Sequence, residues 1–198
     1  MSVKLSPPVV PTEIQLHPMS NTAINESPVN RSTETLELSG ARLEGYLSWE
    51  NLNDDEERKL LTWIASLRGA AGRFYMPHYY NLKPRGMVSG APIISANNQY
   101  GAAVSINQLV PNSMAFLQGD WISINDELKI ITVDCQANGL GQAQLVFEPP
   151  LRKVVNQGMP IVYQSAKGIF RLSDDKQGKI AQRRDKASKL KIEVVEAF

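Results

Sequence analysis

The sequence predicts a mainly β chain with one helix, in which a β-sandwich-like core built from both ends of the chain carries an inserted small β-barrel. Three observations point there. Between Leu117 and Arg152, apolar residues alternate with small or polar ones in three runs around Trp121–Ile124, Leu128–Val133 and Ala143–Phe147. Asn125-Asp126-Glu127 and Gln136–Gln142, with Asn138-Gly139 and Gly141, separate the runs and tolerate the positive φ of tight reversals, so a three-strand antiparallel meander follows. Only the stretch after Asn53 has helical spacing. The alternating segments at the two ends are too few to fold separately, so they are expected to share one sheet.

The N-terminal residues Met1–Pro11 contain Pro7, Pro8 and Pro11 and read as an extended tail or an arm laid on a neighbour. Glu13–Leu16 is a short first strand, and Pro18–Arg31, rich in Asn, Ser and Pro, is a loop. Thr33–Leu38 alternates, Ser39-Gly40-Ala41 turns, and Leu43–Trp49 returns, which predicts a hairpin. Asn53 caps the helix, with Glu56 completing a capping box and Asp54, Asp55, Glu56 and Glu57 favoured by the dipole of the first turn. Leu60, Leu61, Trp63, Ile64 and Leu67 form its apolar face, Arg68 lies in its last turn, and Gly69 suits its C-terminal cap. Gly72–Tyr80 is an aromatic strand that Pro77 interrupts or confines to an edge.

A break at Leu82–Gly86 divides the chain into a discontinuous core, residues 1–84 and 154–198, and an insertion, residues 85–153. Pro92–Ala96 and Ala102–Ile106 add two strands to the meander, and five short strands without a long helix suit a barrel of the oligonucleotide/oligosaccharide-binding (OB) type. Trp121, Ile130, Val133, Leu145 and Phe147 are its expected core, and Pro149-Pro150 is expected to end its last strand. Pro160–Gln164 should pair with Gly168–Ser173, Asp174–Ser188 should project as a polar hairpin or loop, and Lys189–Val195 is the final strand.

Charge and composition exclude several function classes. With 21 basic and 20 acidic residues among 198, the net charge of +1 provides no global field for nucleic acid or anionic lipid. One cysteine, Cys135, permits no internal disulfide, and neither a signal peptide nor a membrane span is evident, so a soluble, unexported polypeptide is expected. His17 and His78 each adjoin a proline and lack a second ligand at metal spacing. Cys135 has no nearby histidine, the Asp54–Glu57 run is explained by helix capping, and the glycine pairs lack the order of a phosphate cradle. No enzyme motif is present, and neither catalytic, metal nor cofactor-binding residues are expected. Two features suit binding: the basic set Lys176, Lys179, Arg183, Arg184, Lys186, Lys189 and Lys191, and the aromatic set Phe74, Tyr75, Tyr79 and Tyr80. A solvated loop and ordinary packing are the respective alternatives.

The order of parts resembles the distal tail proteins of long-tailed, non-contractile bacteriophages, in the form whose core carries an OB-type insertion. The likeness rests on the hairpin leading into WENLNDDEERKLLTWIASLRGAAGRFYMP, the barrel segment GDWISINDELKIITVD ending in FEPPLR, and the terminal hairpin from GIFRLSDD to LKIEVVEAF. It implies a hexameric ring in the virion tail tip, assembled in the host cytoplasm, that joins the tail tube protein to the hub protein. DNA would pass only transiently through the lumen, and the barrel could hold a fibre or collar protein. Leu36, Leu38, Tyr46, Ile192 and Val194 are then the candidate ring-interface residues, and Trp121 and Phe147 mark the barrel's surface or core. The alternative is a monomeric binding module whose barrel takes carbohydrate or single-stranded nucleic acid; an uncharacterised hydrolase ranks below both.

Overall fold

The structure, a computed structural model, describes residues 3–179 and 188–197, and only the backbone of Ser188. The fold is mainly β with one α-helix among the described residues. The strands are β1 (Glu13–Glu26), β2 (Thr33–Leu52), β3 (Phe74–Pro77), β4 (Ile93–Ile94), β5 (Gln99–Asn107), β6 (Met114–Phe116) and β7 (Trp121–Ile124). They continue with β8 (Glu127–Ile131), β9 (Cys135–Gln136), β10 (Ala143–Val155), β11 (Ile161–Val162), β12 (Lys167–Leu172) and β13 (Ser188–Glu196); the helix is α1 (Asp54–Leu67). One sheet runs β1-β2-β13-β12-β3, so the two ends of the chain interleave, as the sequence requires. Another runs β11-β7-β8-β10-β5-β4 and nearly closes into a barrel. Its two outer strands meet through Ile94 N–H to the Met159 carbonyl at 2.9 Å and Ile161 N–H to the Pro92 carbonyl at 3.0 Å. The short pair β6-β9 stands apart from both sheets.

Local chemistry sets the helix ends. The Asn53 side chain accepts from Glu56 N–H at 2.9 Å, the Glu56 carboxylate accepts from Asn53 N–H at 3.1 Å, and Arg68 rather than Gly69 takes the left-handed C-cap. Leu60, Trp63 and Leu67 are buried against the five-stranded sheet, and Trp63 meets Phe74 edge-on at 4.9 Å, while Leu61 and Ile64 are only partly covered. This first core also holds Trp49, Phe170 and Ile192 together with Trp121 and Leu128 from the barrel strands β7 and β8. A second core fills the barrel with Ile106, Phe116, Ile122, Leu145, Phe147 and Ile161. Ser123 Oγ donates to the Lys167 carbonyl at 2.7 Å and Ile169 N–H to the Asp126 carbonyl at 3.1 Å, joining the β7–β8 turn to β12.

Several elements depart from the sequence-based expectation. Residues 18–26 are strand rather than loop: β1 and β2 form one long hairpin that turns after Glu26, not at Ser39-Gly40-Ala41. Gly40, at φ +111°, instead sits in the register shift that separates Met19↔Arg42 from Asn21↔Leu38, a bulge that only resembles a turn in sequence. β10 passes through Pro149 and Pro150, because its ladder to β5 is interrupted between Val146 and Leu151 and asks no N–H of either proline. Residues 161–162 pair with β7, not with β12, and give the barrel a sixth strand where five were expected. Trp121 is buried in the first core, Ile130 packs on that core and Val133 is 54% exposed, so none of the three is barrel core, while Leu145 and Phe147 are. Of the expected projecting segment Asp174–Ser188, residues 180–187 lie outside the described residues, and residues 174–178 pack back: Asp175 Oδ1 accepts from Ala70 N–H at 2.8 Å and Gln177 Oε1 from Glu193 N–H at 3.1 Å. Residues 3–11 lie on their own chain, where Trp63 Nε1 donates to the Leu5 carbonyl and Trp49 Nε1 to the Val9 carbonyl.

Phe147 is fully buried in the barrel core. Phe147→Ala is expected to cost ~3–5 kcal/mol, read as a lower midpoint in chemical denaturation; a loss below ~1 kcal/mol contradicts that burial.

Candidate functional site

The β1–β2 hairpin is anchored at one end and free at the other. Between Glu44 and Leu52, β2 pairs with β13 on its second edge, but residues 33–42 pair only with β1, and β1 has no further strand neighbour among the described residues. Residues 18–41 therefore form a two-stranded arm with both edges open, roughly 25–30 Å long at ~3.3 Å per residue. Ser27 N–H to the Ser32 carbonyl and Arg31 N–H to the Ser27 carbonyl, both 2.9 Å, close its tip. Alternation places Asn21, Ala23, Leu36 and Leu38 on one face and Ile24, Thr35 and Glu37 on the other. Leu36 is 62%, Ile24 66% and Val29 93% exposed, an unusual load of apolar surface for an element with no core of its own.

A buried ionic cluster holds the root of this arm. Lys129 on β8 is fully buried, its Nζ 2.7 Å from Glu127 Oε2 and 3.2 Å from the Pro150 carbonyl. Arg152 on β10 donates through Nε to the Ala41 carbonyl at 2.9 Å, and one of its terminal nitrogens lies 3.0 Å from Glu196 Oε2. That same oxygen accepts from Leu43 N–H at 3.1 Å. Two barrel strands thus grip β2 where it leaves the sheet and β13 where it ends. Burial pushes the Glu196 carboxyl up, against the opposing pull of Lys129 and Arg152, and burial lowers the Arg152 guanidinium. Glu148 is also raised, first by burial and then by the nearby Glu37 carboxylate on the arm. These residues were not singled out from the sequence, although a signal existed: Glu127 and Lys129 occupy inward positions of an otherwise apolar strand, and Glu196 follows Val194-Val195.

The candidate interface residues separate accordingly. Leu36 and Leu38 lie exposed on one face of the arm. Tyr46 lies on the same side nearer the root, its hydroxyl donating to Glu13 Oε1 at 2.6 Å and Lys191 Nζ 3.6 Å from its ring centroid. The hydrogen bond to Glu13 raises its pKa. Ile192 and Val194 are corrected: both are essentially fully buried in the first core, because alternate residues of a strand in mid-sheet point inward, so their side chains are unavailable to a neighbour. Trp121 and Phe147 are buried, in the first and second cores respectively.

The chemically suggestive residues are dispersed. His78 stacks on Trp121 at 4.7 Å and burial lowers its pKa; Cys135 is buried and its thiol is pushed up to about 11. Tyr80 reaches the Pro11 and Thr12 carbonyls, Tyr75 lies under Lys167, and burial raises the Tyr79 hydroxyl, so the aromatic set anchors segments rather than forming one platform. Of the basic set, Arg183, Arg184 and Lys186 lie outside the described residues, and Lys189 pairs with Glu50 at 2.7 Å. Among the described residues no cluster of three or more His, Cys, Asp or Glu side chains is placed to hold a metal ion, and no helix is long and apolar enough to cross a membrane. The chain matches no protein-family model and no curated protein.

Glu196→Ala removes the carboxylate that Arg152 hydrogen-bonds at 3.0 Å and is expected to cost ~3–5 kcal/mol, whereas replacing Arg152 and Glu196 together by apolar residues of similar volume costs much less; a double-mutant cycle by thermal denaturation reads the difference. His78 has a folded pKa below its usual 6.5, so the unfolded chain takes up its proton first as pH falls. Its contribution, present above about 6.5, is lost as pH drops from there toward the folded value, while the raised Glu196 and Glu148 act in the opposite sense, favouring the fold as pH falls toward 4.5. His78→Phe, which keeps the stack on Trp121, should therefore flatten the acid-side loss of melting temperature; an unchanged slope contradicts the assignment.

Proposed function

We propose that this chain is a structural subunit of a phage tail tip, a hexameric ring that joins the tail tube to the hub. The observation that carries this reading is the open-edged arm of residues 18–41. A lone two-stranded hairpin is marginal in water, and one bearing exposed Ile24, Leu36 and Leu38 is completed when a neighbouring copy covers it. Pairing of one edge of the arm with a different edge of the next copy makes a head-to-tail contact, which closes into a ring when the rotation per subunit allows. The interleaved core and inserted barrel agree with the part order of the resembling family. In this reading the protein is an adaptor and not a catalyst, and it needs no cofactor or membrane. It resides in the virion tail tip, DNA crosses only its lumen, and the barrel is the outer module available to a fibre or collar protein.

Mass photometry of the purified chain, alone and with its tube and hub partners, should show a ring-sized species. Leu36→Asp with Leu38→Asp should abolish that species while changing stability by less than ~1 kcal/mol, since both side chains are exposed. A wild-type chain that stays monomeric with both partners, or a double variant that assembles unchanged, overturns the reading.

A further inference from the structure

We propose that the groove between α1 and residues 4–8 receives the arm of a second copy of this chain, with Leu36 and Leu38 in its apolar part and Glu34 in its cationic part. The proposal rests on the ring reading and deepens it by naming the receiving surface. Residues 4–8 form a fixed wall beside the helix. Lys4 N–H donates to the Arg73 carbonyl at 2.7 Å, the Lys4 carbonyl accepts from Tyr75 N–H at 3.1 Å, and Trp63 Nε1 donates to the Leu5 carbonyl at 3.1 Å. Helix and wall together line two clefts that share Ser66.

The two clefts differ in chemistry. One, of about 550 Å³, is lined by the apolar side chains of Leu5, Pro8 and Trp63, with Arg58 and Lys59 beside them. Leu5 is 84% exposed there, a large apolar side chain left in water on an anchored segment. The other, of about 460 Å³, gathers Lys4, Arg68 and Arg73. Among the described residues no acidic side chain lines either cleft. Asp55 matches Lys59 at 2.5 Å, but Lys4, Arg58 and Arg68 have no ion-pair partner among the described residues. In a chain with 21 basic and 20 acidic residues, such segregation fits carboxylates brought by another molecule.

The arm carries the matching pattern. Glu34, Leu36 and Leu38 are successive residues of one face of β2, all exposed and roughly 6–7 Å apart at ~3.3 Å per residue. Two apolar side chains are thus followed by a carboxylate, as the apolar cleft is followed by the cationic one. Residues 18–41 hold three carboxylates, Glu26, Glu34 and Glu37, against one cation, Arg31. Topology directs the contact to another copy. The arm leaves the five-stranded sheet at its β1–β2 edge, whereas the groove lies at the β3 edge, where Lys4 bridges Phe74 and Trp63 meets the same ring at 4.9 Å. Each copy therefore offers an arm on one side and receives one on the other, a heterologous contact that repeats in one direction. A nucleic-acid strand would use the cations but not the apolar cleft, where the Trp63 ring is 9% exposed and its N–H is engaged.

The test mixes full-length Leu36→Cys and Thr62→Cys preparations under mild oxidation with the tube and hub partners present; Cys135 is buried and stays out of the exchange. A disulfide between the two preparations, located by mass spectrometry, is the expected result. In parallel, Lys4→Glu with Arg68→Glu, and separately Glu34→Lys, should each weaken assembly about tenfold at unchanged melting temperature. All three substitutions in one chain should restore assembly, because the charges match again, an outcome that a merely misfolded variant does not give. Absence of the mixed disulfide, a disulfide within the Leu36→Cys preparation alone, or charge-reversed variants that assemble like wild type overturns the proposal. So does a charge-reversed groove that loses only the tube or hub protein while copies still associate. A ring-sized species in mass photometry leaves the ring reading standing in those cases, whereas a mixed disulfide and restored assembly in species of another size support the contact and overturn the ring.

Discussion

Lys129 is a cation with no exposure to water, and the fold around it is arranged so that this is tolerable. An ammonium taken out of water costs several kcal/mol unless its charge and its donors are matched. Here Glu127 supplies the opposite charge and the Pro150 carbonyl accepts a hydrogen bond from Nζ, and the chain that passes through the two prolines is thereby held beside β8. Arg152, two residues on, extends the same cluster to Ala41 and Glu196. Every member depends on its neighbours, so the cluster specifies one relation between barrel and core sheet and rejects displaced ones, which would strand a buried charge.

Position explains what the cluster contributes. It lies where β2 stops pairing with β13 and continues as the arm, the point at which a hairpin would otherwise fray. Arg152 and Glu196 take up the Ala41 carbonyl and the Leu43 N–H, the backbone groups just beyond the bulge at Gly40. The arm's direction is therefore set by buried electrostatics, while its surface, with Leu36 and Ile24 exposed, has no covering partner among the described residues. A rigid root and an unfinished face are complementary features: a partner that covers such an arm spends little on ordering it.

Much of the framework was legible because strong local patterns agreed with the tertiary result. The capping box at Asn53 and Glu56, the meander from Trp121 to Phe147, and the sharing of one sheet by both ends follow from short-range chemistry and from counting strands. What the sequence concealed depends on partners far away in the chain. Gly40 within Ser39-Gly40-Ala41 has the composition of a turn, and only the register of β1 makes it a bulge. Pro18 and the Asn-rich stretch after it suggest a loop, yet an edge strand has no ladder on one side and accommodates them. Ile192 and Val194 alternate just as an exposed edge strand would, and only the placement of β13 between β2 and β12 buries them. The ionic cluster joins residues from 41 to 196, so although Glu127 and Lys129 stand out in an apolar strand, their partners Arg152, Glu196 and Ala41 follow from no local pattern.

The same contrast separates the two faces that the fold leaves open. Two free edges of an antiparallel hairpin with apolar side chains would invite uncontrolled strand pairing, the usual hazard of exposed edges. The bulge at Gly40 and the carboxylates Glu26, Glu34 and Glu37 along the arm limit that hazard, because a second strand must match the bend and accept those charges. Such an edge is selective rather than merely sticky. The barrel's outer face differs: β5 is paired by β10 on one side and, at Ile106 and Asn107, by β4 on the other, and the side chains around that end are uncharged. One surface offers backbone hydrogen bonds to a further strand and the other only side chains, and the buried cluster at Lys129 and Arg152 joins the barrel strand β10 to the root of the arm.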